Sequence, residues 1–169
     1  MAIQEGDKLP EATLYVMEDG KPTPKTTADL FGGKKVVVFA VPGAYTPTCS
    51  QAHLPGFVVN ADAIKGKGVD SIVCISVNDA FVMGSWGQDA NADEIIMAGD
   101  GNGEFTAAVG LEMDGSGFGL GTRSQRYAMI VDDGTVTKLS VEAPGQFEVS
   151  KAEAILEALE PLVPGSCHA

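Results

Sequence analysis

Cys49 is the residue whose neighbours best equip it for chemistry. It lies in VVVFAVPGAYTPTCSQAH, residues 36 to 53, where an unbroken apolar run from Val36 to Val41 meets Pro42-Gly43, and Pro47 stands two residues ahead of the cysteine. That order reads as central strand, tight turn and helix start with a thiol in the first turn. Orphan backbone N–H groups and the positive end of the helix dipole favour thiolate over thiol there, and the thiolate is the nucleophile. A cysteine that merely fills a pocket is the competing reading. Against it stand Tyr45, Thr46, Thr48, Ser50, Gln51 and His53, poor material for packing an inert thiol. His53 follows Cys49 by one helical turn and can either orient the thiol's surroundings or serve as a packed or capping histidine.

The elements that must position this stretch alternate along the chain. Thr13 to Met17 reads as a first strand or hairpin arm turned by Glu18-Asp19-Gly20, and Thr27 to Phe31 as a short helix stopped by Gly32-Gly33. After the central strand, the helix that starts near Cys49 runs through Leu54, Phe57, Ala61 and Ile64 to Gly66, with Pro55-Gly56 bending or dividing it. Val69 to Val77 is a second buried strand, and Asn78 is positioned to cap a helix to about residue 90 that carries Trp86, which reads as core or pocket wall. Ile95 to Ala98 gives a short strand and Glu104 to Val109 one or two helical turns. Gly110 to Gly121, with five glycines, reads as a loop that lacks either phosphate-binding glycine pattern. Tyr127 to Asp132 and Thr135 to Val141, joined at Asp133-Gly134, form the clearest hairpin. Ser150 and Glu153 have the spacing of a capping box for a last helix whose inward face takes Ala154, Leu156, Leu159 and Leu162. The expected α/β architecture is therefore a central mixed sheet flanked by helices, thioredoxin-like with an N-terminal extension, in one domain over 1–169.

Composition narrows the function. A formal net charge of -12, from 23 acids against 11 bases, repels nucleic acid and anionic membranes, so neither is an expected partner. Residues 1 to 12 carry no basic region followed by an apolar core, and no apolar run is long enough to span a bilayer, so a cytoplasmic protein is expected. Cys49, Cys74 and Cys167 are three cysteines at wide spacing with two histidines in the chain. They supply neither a disulfide framework nor a metal site, and no cofactor is expected.

Three stretches, VPGAYTPTCSQAHLPGF at 41–57, GVDSIVCISVNDAFVMGSWG at 68–87 and RSQRYAMIVDDG at 123–134, resemble the peroxiredoxins, specifically the type II or peroxiredoxin-5-like branch. The resemblance covers nearly the whole chain. It implies a thioredoxin-like fold and reduction of hydrogen peroxide and alkyl hydroperoxides. On the motif PGxxTPxC it makes Cys49 the peroxidatic cysteine and Thr46 the motif threonine, with Pro42, Gly43, Ala44 and Tyr45 lining the pocket. Tyr45 replaces the commoner phenylalanine. Arg126 matches the catalytic arginine, and Arg123 either buttresses the site or forms a surface ion pair. The expected chemistry is in-line attack of a thiolate on an O–O bond. Arg126 would aid the thiolate, the Thr46 hydroxyl would join sulfur and substrate in one network, and backbone N–H groups of residues 44–49 would act as an oxyanion hole.

Attack leaves a sulfenic acid that has to be reduced. Cys74 matches the second cysteine of several type II members, yet it also reads as a buried strand thiol, and a link to Cys49 needs Cα atoms within about 7 Å. Where an intramolecular disulfide partner lies in related chains, Gln146 to Ser150 holds no cysteine. An external reductant is therefore implied, either glutathione with glutaredoxin or thioredoxin. Cys167, beyond Pro164-Gly165, is expected on a mobile tail, as an incidental surface thiol ahead of a resolving cysteine for Cys49. A thiol-disulfide oxidoreductase and a non-catalytic redox sensor are the competing classes. The first lacks a CxxC and leaves Thr46 and Arg126 without a task, and the completeness of the motif favours catalysis over the second. The resemblance also implies a homodimer through Tyr45, Pro47, Phe118 and Leu120, the last two being alternatively a pocket wall.

Overall fold

The computed structural model describes residues 2–47, 49–143 and 146–159, apart from the side chains of Ser50 and Gln51. Strands β1 (Thr13–Glu18) and β2 (Lys21–Thr26) form a hairpin, followed by helix α1 (Thr27–Phe31), strand β3 (Lys35–Val41), a π-helical segment Cys49–His53 and helix α2 (Leu54–Lys65). Then come β4 (Ser71–Ser76), α3 (Ala80–Asp89), β5 (Ile96–Gly99), α4 (Glu104–Val109), β6 (Glu112–Asp114) and β7 (Thr122–Ser124). The chain closes with β8 (Tyr127–Asp132), β9 (Thr135–Val141) and α5 (Ala152–Leu159). Seven strands make one sheet in the order β2-β1-β5-β4-β3-β8-β9. Its parallel centre, β5-β4-β3, is flanked by antiparallel pairs on both sides, which is the mixed sheet expected.

Helix patterning gives the sheet two buried faces. Val37, Phe39 and Val41 of β3 and Ile72 and Cys74 of β4 point with Leu54, Phe57 and Ile64 of α2 and Ile155 of α5 into one core. Val36, Val38 and Ala40 point oppositely, with Leu30 and Phe31 of α1 and Phe105 of α4. Strand alternation assigns these faces, and strands buried on both sides are continuous apolar runs for that reason. β2 is the second arm of the hairpin turned at Glu18-Asp19-Gly20, and it carries Pro22 and Pro24. It lies at the sheet edge, where the missing N–H groups remove no second ladder.

Five local expectations change. The helix after Cys49 divides between His53 and Leu54 rather than at Pro55-Gly56; Pro55 instead sits in the first turn of α2, where no intrahelical N–H is required. Asp79, not Asn78, caps α3, its carboxylate accepting from Val82 N–H. The glycine-rich span holds β6, which pairs with β7. At Ser150 the hydroxyl donates to Glu142, and α5 begins at Ala152, later than the Lys151 start that a capping box on Ser150 would need. The inward face of α5 is Ala152, Ile155 and Leu159, with Ala154 and Leu156 only half-buried; Leu162 lies outside the described residues.

Gly99 lets the β5 end pass against the start of α3. A Cβ there would stand 2.8 Å from Asn78 O and 2.9 Å from Ala80 N, backbone atoms that cannot rotate away. G99A is expected to lower stability by about 1–3 kcal/mol in denaturant titrations. The displaced segment includes Asn78, whose amide oxygen accepts from Ala44 N–H in the loop ahead of Cys49, so oxidation of the Cys49 thiol by hydrogen peroxide should slow as well.

Candidate active site

β3 delivers the chain to Pro42, and the next residues cross the carboxyl end of the parallel strands before the π-helical segment begins at Cys49. Two side chains from elsewhere hold this loop. Asn78, just after β4, accepts from Ala44 N–H at 3.0 Å and from the Ser76 hydroxyl. Arg123, at the middle of β7, donates to Pro42 C=O at 3.2 Å and, through Nε, to Leu120 C=O at 3.0 Å. Arg123 is therefore a buttress. Gly43 gives it room, since a Cβ there would lie 2.9 Å from the guanidinium and 3.0 Å from the Thr46 methyl. Thr46 Oγ1 donates to Gly43 C=O at 2.7 Å, so its single hydrogen is not aimed at sulfur. Of the backbone donors expected from this loop, Ala44 N–H binds Asn78 and Thr46 N–H binds Gly43 C=O.

Tyr45 has φ 65°, a left-handed conformation costly for a side chain of that size. Its hydroxyl compensates by donating to Asp89 at 2.8 Å and pairing with Ser85 at 2.9 Å, both on α3. A phenylalanine could make neither contact. Trp86, buried on the same helix, has its ring 6.3 Å from that of Tyr45 and forms wall rather than reacting surface.

The cysteine itself is fully buried. Arg126, in the residue before β8, donates from one terminal nitrogen to Cys49 Sγ at 3.2 Å and from the other to His53 Nδ1 at 2.9 Å. His53 Nε2 meets Ser150 C=O at 2.9 Å. A carbonyl only accepts, so Nε2 carries the proton and Nδ1 is left as the acceptor for arginine. Phe147 completes the enclosure, its ring 5.7 Å from the guanidinium carbon and 5.0 Å from the imidazole. Burial, and then the charge of Arg126, push the His53 pKa from 6.5 down to about 3. The ring is thus neutral at physiological pH, an orienting group and not a proton donor in imidazolium form.

The structure brings together Cys49, Arg126 and His53 directly, and places Thr46, Pro42, Gly43 and Ala44 in the adjoining loop. Cys74 is also buried in the Cys49 core, at the centre of β4 opposite Phe39 and Met97. Burial, and then proximity to Cys49, push its thiol well above the ordinary range. Cys167 lies outside the described residues. Phe118 is 89% exposed and closes no pocket, whereas Leu120 is half-buried. Sequence reasoning missed Asn78 as loop anchor and Glu142, whose carboxylate accepts from Glu148 N–H, Ser150 N–H and the Ser150 hydroxyl at 2.7–2.8 Å. Nothing local marks Glu142, because its partners lie six and eight residues on. Among the described residues no group of three or more His, Cys, Asp or Glu could hold a metal ion, and no helix is long and apolar enough to cross a membrane.

A buried cysteine with an arginine donor thus stands at the end of a thioredoxin-like mixed sheet, the fold of the redoxin class. The redoxin family model matches residues 4–156. Reduced Prx3 of Vibrio vulnificus, crystallised in complex with hydrogen peroxide, is 60% identical and superposes with a TM-score of 0.91, over 94% of this chain and 99% of that one. Chloroplastic peroxiredoxin-2E of Arabidopsis thaliana is 50% identical over 94% of this chain and 70% of its own length. Chloroplastic peroxiredoxin-2E-2 of rice is 51% identical over 93% and 72%. The chain belongs to the redoxin family and is a peroxiredoxin of the type II, peroxiredoxin-5-like branch. It is accordingly a thiol-dependent peroxidase that reduces hydrogen peroxide and organic hydroperoxides through a peroxidatic cysteine and is recycled by an external thiol. The expected cytoplasmic location is overturned by the two plant relatives, both named chloroplastic. The want of a leader-like stretch in residues 1–12 does not identify a compartment.

His53 also makes stability pH-dependent. Between 6.5 and about 3 the unfolded chain binds a proton at this position that the fold does not, so stability falls as pH drops through that window, by about 1.4 kcal/mol per unit. Denaturant titrations from pH 6.5 to 5 should show the wild-type protein losing about 2 kcal/mol more than H53Q. Equal slopes would mean the imidazole is protonated in the fold.

Proposed function

We propose that Cys49 is the peroxidatic cysteine, that Arg126 and Thr46 complete the reacting group, and that Pro42, Gly43, Ala44, Tyr45, His53, Trp86 and Arg123 support it. The observation that carries this reading is the 3.2 Å contact from the Arg126 guanidinium to Cys49 Sγ. The Cys49 thiolate attacks the terminal oxygen of ROOH, an S–O bond forms as the O–O bond breaks, and the departing RO⁻ takes a proton to leave as ROH. Arg126 offers fixed N–H groups to the charge shared by sulfur and the peroxide oxygens. The Thr46 hydroxyl, having given its hydrogen to Gly43, keeps its lone pairs to accept the peroxide O–H. Arg123 acts only through the loop it braces.

The sulfenic acid is then displaced by a thiol, giving a mixed disulfide and water, and a second thiol releases Cys49. Either glutathione with glutaredoxin or thioredoxin fits this role. Cys74 is poorly suited to resolve Cys49, because β4 is hydrogen-bonded on both edges and its thiol is wholly buried. Cys49 is equally buried, so an external thiol reaches it only when the 49–53 segment opens. A homodimer belongs to the same proposal. Tyr45, Pro47 and Phe118 are exposed, and Arg123 ties the loops at 42 and 120 into one face. One domain spanning 1–169 is supported by a sheet that runs from β1 to β9.

Stopped-flow oxidation and coupled turnover test these roles together. C49S should be inactive with either reductant, and C74S should keep near-normal turnover. R126A should lose about a hundredfold in the rate of Cys49 oxidation while staying folded, and R123A should lose less. Normal turnover in C49S, or a larger defect in R123A than in R126A, would overturn the assignment.

A further inference from the structure

Arg126 can serve sulfur only if its guanidinium is aimed, and the aim is set from the segment that follows β9. The carboxylate of Glu142, 7% exposed, gathers Glu148 N–H, Ser150 N–H and the Ser150 hydroxyl onto one oxygen at 2.7, 2.8 and 2.7 Å. Burial alone would raise its pKa, but these hydrogen bonds outweigh it and hold the group below the ordinary carboxylate value, so it is ionised at neutral pH. The turn so gathered presents Ser150 C=O to His53 Nε2 and brings Phe147 beside the imidazole and the guanidinium. Glu142 also grips Arg126 through the main chain, its N–H donating to Arg126 C=O at 2.9 Å.

We propose that Glu142 is a positioning residue for the peroxidase reaction, acting on Arg126 through Ser150 and His53. The chain of dependence is chemical. His53 Nδ1 can accept from Arg126 only while the ring proton is on Nε2, and Ser150 C=O is what selects that tautomer. Without the carboxylate, Glu148 N–H, Ser150 N–H and the Ser150 hydroxyl lose their common acceptor and the turn relaxes. The ring is then free to carry its proton on Nδ1, where it would face an arginine N–H with another N–H. A guanidinium displaced by even an ångström no longer meets the peroxide oxygens in line. The inference rests on the assignment of Arg126 to Cys49.

The test is a double-mutant cycle in the rate of Cys49 oxidation by hydrogen peroxide, followed by stopped flow on the full chain. H53L removes the Nδ1 acceptor and supplies no other. E142A should slow oxidation about tenfold in the wild-type background and by less than about twofold in H53L, because the relay is already cut there. E142Q, which retains an acceptor oxygen and the side-chain volume, should recover most of the rate and covers the case in which E142A folds poorly. Imidazole ¹⁵N chemical shifts give the second readout, with a single Nε2–H tautomer in the wild-type protein and a mixture in E142A. An equal loss from E142A in both backgrounds, or an unchanged tautomer, would reduce Glu142 to a structural residue and overturn the proposal. Should R126A itself oxidise at the wild-type rate, the failure would lie in the Arg126 assignment and not in the relay.

Discussion

A guanidinium set against a buried sulfur with no carboxylate to neutralise it is the interaction on which the rest of the site depends. Among the described residues, the salt bridges are Lys25–Glu18 and Lys65–Glu94, both far along the sequence from this centre. Arg126 instead meets a sulfur, an imidazole nitrogen and the face of Phe147. An ion pair there would cancel the charge that the reacting sulfur and oxygens require, and a lone buried cation would carry a large desolvation cost. Neutral partners in the imidazole and the Phe147 ring resolve the conflict, since they hold the guanidinium and leave its charge for the Cys49 sulfur and the peroxide oxygens.

Placing that arginine is the task of the sheet. β3 and β8 run antiparallel with Ala40 opposite Tyr127, so the residue before β8 emerges beside the residues after β3. The loop that leaves β3 is pinned by Asn78 from the end of β4 and by Arg123 from β7. Three strand ends therefore converge on one turn. This placement at the carboxyl ends of parallel strands is where open α/β sheets assemble sites, because adjoining loops diverge there and leave room for side chains.

Two buried ionisable groups have opposite charge states, and each is fixed by its partners. His53 is neutral because burial and the adjacent guanidinium both oppose a second positive charge. Glu142 is ionised because N–H and O–H donors converge on one oxygen. The pairing lets a fixed negative charge sit behind a neutral ring, so that the arginine is oriented without being neutralised.

Much of the fold was legible before any coordinates. The apolar run 36–41, the Asp133-Gly134 hairpin and the α4 span are local patterns, set by strand alternation, turn chemistry and helix length, and the structure places each of them within a residue or so of its expected bounds. The motif around Cys49 likewise announced a thiol with polar neighbours, and the family pattern pointed to Thr46 and Arg126. What the sequence could not determine were the contacts that depend on chain segments meeting in space. Asn78 reads locally as a cap, yet with Asp79 filling that role its amide is free to hold Ala44 from 34 residues away. Ser150 and Glu153 have capping-box spacing, but α5 begins only at Ala152, and Ser150 instead gives its N–H and its hydroxyl hydrogen to a Glu142 carboxylate brought in from eight residues back. Pro22 and Pro24 argue against a strand until the sheet puts them at an edge. The tautomer of His53, its depressed pKa and the aim of Arg126 belong wholly to tertiary structure, because each is set by a carbonyl, a charge or a ring brought in from a distant part of the chain.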